Sequence, residues 1–189
     1  MQTNVITTPE TIVNGVNVTR MGETVETIKN DPKIAKFQFR AQNKWILGAH
    51  NQTTIHGFYG AGAEDTNRTE PFILDADEAP VLLGEDKGPN PVEYALTALI
   101  ACMTTTMVYH AAAQGIRIEA IESTLEGNLD LQGFLGLRAD IRKGYENITV
   151  RFKVKSDASP EVLAALTKNS PVYDVVTNPV PVTVSVVTE

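Results

Sequence analysis

The chain has 189 residues, a net charge of −7 and a single cysteine. That length suffices for one sizeable core, and the absence of any basic tract argues against a nucleic-acid partner, which needs clustered Lys and Arg. A lone cysteine cannot close an internal disulfide, which points to a reducing compartment. Residues 1–19 have neither a basic n-region nor an apolar h-region, so no signal peptide is read and the expected location is the cytoplasm. The Asn-x-Thr sequons at Asn17, Asn51, Asn67 and Asn147 then read as chance matches.

Residues 1–33 read as an N-terminal arm. Positions 1–20 lack a period, and Glu23 to Asn30 fits a short helix with Val25 and Ile28 on one face, stopped at Asp31-Pro32. Residues 34–189 read as one domain. Phe37, Phe39 and Ala41 alternate with Gln38, Arg40 and Gln42, and Trp45 and Leu47 resume after Gln42-Asn43, which predicts a hairpin turning there. Thr53 to Phe58 and Pro71 to Leu74 predict further strands, and Asp75, Asp77 and Glu78 a solvated acidic turn.

The longest element predicted is a helix over 91–114. Asn90 is a good N-cap, Pro91 is preset for the first helical position and Gly115 suits the residue past the end. Apolar side chains cover nearly its whole circumference, so it belongs in a core. Glu93, Thr104-Thr105-Thr106 and His110 interrupt it too often for a membrane span. One sheet covers only one side of such a helix, which leads us to expect a second subunit over the other, a homodimer. Beyond Gly115 the pattern is extended again, with a phase slip at 120/121 that reads as a bulge. Gly133 to Leu137 reads as an apolar loop, and Tyr145 to Lys155 alternates with Ile148, Val150, Phe152 and Val154 inward. Ser159-Pro160 opens a helix to about Asn169, and the alternating valines 180, 182, 184 and 186 predict a last strand, placed at an edge by Pro181. Clustered strands rather than strict βα alternation make the fold class α+β with a mainly antiparallel sheet.

Cys102 is the first candidate for chemistry, although a free cysteine on an apolar helix is usually a small hydrophobe. No His lies at helical contact spacing from it, so an activating group would come from elsewhere, such as Arg40, His50 or His56. Metal and cofactor sites are not expected. His50 and His56 are about 20 Å apart along a strand, the acidic turn lacks the Gly and distal Glu of a calcium loop, and Gly57 to Gly62 lacks the helix and Lys-Ser/Thr pair of a phosphate loop.

Gly88-Pro89-Asn90-Pro91, then Ala101-Cys102, Glu122-Ser123 and Ser170-Pro171-Val172-Tyr173 together resemble the OsmC/Ohr family of hydroperoxide-reducing proteins, over residues 34 to 189. The Leu129 to Leu137 segment resembles a longer subgroup. The resemblance implies an antiparallel sheet wrapped around a long buried central helix, an intertwined dimer, and a helix thiolate that attacks organic hydroperoxides with help from an Arg and a Glu. A second Cys, in a Cys-Pro pair, would resolve the sulfenic acid. Cys102 matches the reactive position. Ser170 stands at the resolving position, Val92 where the family's Glu follows Asn-Pro, with Glu93 the nearest carboxylate, and no Arg lies between Arg68 and Arg117. Two readings follow. One is a one-cysteine thiol peroxidase acting through Cys102 and Glu93, with an external thiol as reductant. The other is a non-catalytic protein that binds a small apolar ligand or serves a structural role.

Overall fold

The computed structural model describes residues 9–188. Its fold is mixed α/β, with antiparallel sheets and one long helix. The described residues condense into two compact units: one reaches to Ile12 and resumes over Asn17–Ala95, and the other comprises Val13–Val16 and everything from Leu96 on.

In chain order, β1 (Ile12–Val13) and β2 (Val16–Asn17) pair across Asn14-Gly15, whose φ values are 52° and 78°. Asn-Gly is the preferred pair for such a tight turn, so the expected unstructured arm holds a hairpin from residue 12; the part of the arm before residue 9 lies outside the described residues. Helix α1 (Val18–Asn30) starts five residues earlier than the pattern predicts, because the Asn17 side chain accepts from Arg20 N. Its end at Asp31-Pro32 is as predicted.

The next strands are β3 (Gln42–Leu47), β4 (His50–Ile55) and β7 (Phe72–Ala76), which form a three-stranded antiparallel sheet with β4 central. A small hairpin of β5 (Tyr59–Gly60) and β6 (Ala63–Glu64) lies between β4 and β7 in the chain. The hairpin of β3 and β4 turns at Gly48-Ala49, not at the predicted Gln42-Asn43. Residues 37–41 are not a strand: Gln38 makes one bridge to Tyr59, and the rings of Phe37, Phe39 and Phe58 pack together at centroid distances of 5.4–6.2 Å. Aromatic stacking there replaces ladder pairing.

Helix α2 (Pro91–Ala113) starts where predicted and ends one residue before the predicted 114. Gly115 N donates to Ala112 O and Ile116 N to Ala111 O, which closes its last turn. The remaining elements are β8 (Ile118–Asn128), α3 (Leu131–Phe134), β9 (Asn147–Ser156), α4 (Pro160–Thr167) and α5 (Pro171–Thr177). β8 and β9 pair antiparallel with a register shift between Ile118 and Ala120, next to the predicted slip. In the second unit Met107, Ala111, Leu163 and Leu166 form a buried cluster, against which Ile118, Ile121, Phe152 and Val154 pack. The opposite face of this hairpin carries the ion pairs Glu126–Arg151, Glu122–Lys153 and Glu119–Lys155. The apolar loop after β8 contains the short α3, capped by Asp130. The predicted last strand does not form: residues 179–188 have no regular secondary structure, and among the described residues no strand pairs with them.

Candidate functional site

Asn90 and Glu93 fix the start of α2. Asn90 Oδ1 accepts from Val92 N at 2.8 Å, and Glu93 Oε2 accepts in return from Asn90 N at 2.9 Å. Each side chain thus satisfies a backbone donor that the helix start leaves open, a reciprocal capping box. Asn90 Nδ2 also donates to the Glu78 carboxylate, which ties the cap to the segment after β7.

That segment is not the solvated turn expected from its charges. Asp77 is only 2 % exposed and accepts backbone hydrogen bonds from Glu78 at 2.8 Å, Glu85 at 3.1 Å and Lys87 at 3.2 Å. Burial pushes its carboxyl up, and the backbone donors outweigh that and hold it below the ordinary 3.8. Asp75, two residues earlier in β7, lies 2.9 Å from His50 Nε2 and also accepts from Gln52. These two hydrogen bonds, His50's the larger, lower its pKa. Tyr94 Oη donates to the Asp75 carbonyl at 2.7 Å. The chain passes so close here that a Cβ on Gly88 would lie 2.2 Å from Asp75 O. Gly84 and Gly88, which flank Glu85-Asp86-Lys87 beyond the acidic turn, are a sequence signal for this fold-back that the predicted elements do not use.

Cys102 sits in the middle of α2 as a free, half-buried thiol. At helical spacing its neighbours are Ala98, Leu99, Thr105 and Thr106. Leu99, Met103 and Thr106 are buried while Ala98, Ala101 and Thr105 are exposed, so the thiol lies at the margin between the covered and the open face of the helix. Within one chain Glu93 does not reach it: nine residues separate them, about 14 Å along the axis and half a turn round.

Ser170 is 1 % exposed and caps α5, its Oγ accepting from Tyr173 N at 3.1 Å. Of the other candidates, Arg40 is paired with Glu64 and His50 with Asp75, while the His56 carbonyl accepts from Arg68 Nη1. Arg40, Gln42, Thr54, His56 and Glu64 line an open cavity of about 330 Å³ in the first unit. Among the described residues no group of three or more His, Cys, Asp or Glu is placed to hold a metal ion.

The model of the OsmC-like protein family matches residues 84–185, more than half of the chain, and the chain belongs to that family. Among solved structures it is similar to an OsmC-like protein from Mycoplasma pneumoniae, with 17 % identity over 75 % of this chain and 89 % of the other, and a TM-score of 0.58. It is also similar to an OsmC-like protein of unknown function from Vibrio cholerae, with 14 % identity over 72 % of this chain and 92 % of the other, and a TM-score of 0.51. At these identities the likeness establishes the fold. No curated protein matches the sequence significantly.

Proposed function

We propose that this OsmC-family protein is a homodimeric one-cysteine thiol peroxidase acting on organic hydroperoxides through Cys102. The observation that carries this reading is the place of the thiol. It is the chain's only cysteine, half-buried at the margin of the apolar central helix, with Leu99 and Met103 beside it. The thiolate attacks one peroxide oxygen, the O–O bond breaks, an alcohol leaves, and Cys102 is left as a sulfenic acid. An external thiol then condenses with the sulfenic acid, releasing water, and a second thiol frees Cys102 by exchange. Glu93 is the carboxylate proposed to assist, and in a dimer it would do so from another chain. Cytoplasmic location fits the external thiol, because a reducing pool supplies it.

The dimer is supported by how little one chain covers. Only six residues of α2 are buried, and an apolar helix face left in water is unfavourable by roughly 25 cal/mol per Å². A second reading has its own support. Glu93 is committed to the cap and Arg40 to Glu64, which leaves neither free in one chain to activate the thiol and favours a protein that binds a small apolar ligand without turning it over.

A peroxide-consumption assay with a dithiol reductant separates the two. We expect turnover of cumene hydroperoxide faster than of hydrogen peroxide, abolished in Cys102→Ser, with sulfenate or its further oxidation products at Cys102 by intact mass. A thiol that stays unmodified in prolonged excess peroxide would leave only the binding protein.

A further inference from the structure

The sheet of the first unit satisfies most of its polar side chains from strand to strand. Asn43 donates to Asn51 and Thr53, and Asp75 takes up both Gln52 and His50. At one end of the same strands that pattern stops. Gln42 and Thr54 are direct cross-strand neighbours. Yet neither of them, nor His56 just past the end of β4, makes a side-chain hydrogen bond among the described residues. All three side chains line the cavity of about 330 Å³ that Arg40 and Glu64 also border. Its volume lies near the lower end of ligand pockets, roughly 300–1,000 Å³, and so admits a small molecule. One wall is held in place: Arg68 Nη1 donates to the His56 carbonyl at 2.6 Å, and the same guanidinium lies 4.8 Å from the Phe72 ring centroid.

The charges decide what fits. Arg40 and Glu64 form an ion pair whose side chains are 47 % and 60 % exposed. Exposed pairs contribute little to stability, so a ligand opens this one at small cost. An anion alone is attracted by Arg40 and repelled by Glu64, and a cation alone meets the reverse. A molecule that carries both charges replaces one ion pair with two. An apolar molecule would strip water from Gln42, Thr54 and His56 and offer them nothing in return.

We propose that this cavity binds a small zwitterion, an α-amino acid with a polar side chain. Its carboxylate sits on Arg40, its ammonium on Glu64, and its side chain among Gln42, Thr54 and His56. All five residues belong to the first unit, so the site calls on neither Cys102 nor a second chain.

The test is a titration of the isotope-labelled full-length protein with L-glutamine, followed by amide shifts and calorimetry. Saturable binding of one molecule per chain is expected, with the shifts centred on the residues that line the cavity. N-acetyl-L-glutamine lacks the ammonium and L-glutaminamide lacks the carboxylate. Each should bind about tenfold more weakly, the loss of one charged hydrogen-bond partner. Arg40→Gln should level the difference between L-glutamine and its amide, and Glu64→Gln that between L-glutamine and its acetyl form. The double exchange Arg40→Glu with Glu64→Arg keeps both charges and should bind better than either single variant. The comparison of the three ligands uses the parent protein alone, so it decides the question even where a variant fails to fold. Equal binding of all three, shifts confined to other residues, or no saturable binding up to the solubility limit of L-glutamine would each overturn the proposal.

Discussion

The two units bury their apolar residues to very different degrees. The second holds Leu99, Met103, Met107, Ala111, Ala112, Leu163 and Leu166 in its interior and turns a row of ion pairs to solvent, although Tyr109, Phe134, Leu135 and Leu137 stand exposed there. In the first, Ala76 is the one buried apolar side chain among the described residues, while Phe37, Phe39, Trp45, Leu47, Phe72 and Ile73 are exposed. Its best-buried side chain is the Asp77 carboxylate. Hydrogen bonds and ring stacking shape this unit, but hydrophobic burial is the term that normally offsets chain entropy. If the proposed dimer forms, its contacts would supply part of the burial this unit lacks.

Substitutions can widen or erase that contrast. The largest effect belongs to the second unit's core: Met107→Ala should cost about 2–5 kcal/mol in urea denaturation, from lost transfer energy plus the cavity left behind. Next comes Leu47→Ser in the first unit. An ordinary surface site changes stability by within about 0.5 kcal/mol. If a partner covers this sheet, the loss should be about 2 kcal/mol and should show as weaker dimerisation in dilution experiments. A neutral result there would erase the contrast's meaning.

Smaller effects test the polar framework of each unit. Ser170→Ala removes the α5 cap and should cost about 1 kcal/mol, read as faster amide exchange at Tyr173. Ser170→Cys keeps the side chain's size, and if this position faces the reactive thiol, organic peroxide will convert both sulfurs to one intramolecular disulfide. Glu93→Gln retains an acceptor for Asn90 N, so stability should fall by only about 0.5 kcal/mol. A tenfold loss of peroxidase rate at that small stability cost would give Glu93 a part in the chemistry as well as in the cap. The smallest effect at neutral pH is that of Asp77. Its carboxyl titrates below 3.8 in the folded chain, so its contribution is complete above that pH and is lost as the pH falls further. Exchange protection of Glu85 and Lys87 amides should therefore fade in acid before that of β8 and β9.

The second unit was also the more legible one. Gly115 marks the end of α2, as Asn90 and Pro91 at the close of the first unit mark its start, because capping chemistry is local, and β9 is visible in its inward Ile148, Val150, Phe152 and Val154. Ser170-Pro171 repeats the helix-opening pair Ser159-Pro160, yet a proline after a helix reads equally as its terminator, and α5 is missed for that reason. The turn at Gly48-Ala49 is hidden by the alternation of Phe37 and Phe39, whose period matches a strand although their rings pack on Phe58. Valines 180–186 show the right period, but pairing is a property of two strands, and the sequence of one reveals nothing of the other. At the candidate site the cysteine and the helix that carries it stand out in the sequence. The burial of Asp77 does not, because an acidic run looks alike whether water or folded-back amides surround it.

The tie from Asn14 to the start of β8 has a chemical lifetime. Its side-chain amide does two jobs at once, giving a hydrogen to Ile116 O at 2.9 Å and taking one from Ile118 N at 2.8 Å. An asparagine followed by glycine is also the pair most prone to lose ammonia, through attack of the next backbone nitrogen on the side-chain carbonyl, and asparagine is among the thermolabile residues. The carboxylate that results can still accept from Ile118 but meets the Ile116 carbonyl with like partial charge and no hydrogen to offer. Each molecule thus ages at its N-terminal hairpin: while the hydrogen bonds hold they slow the attack, and after conversion they cannot re-form as a pair.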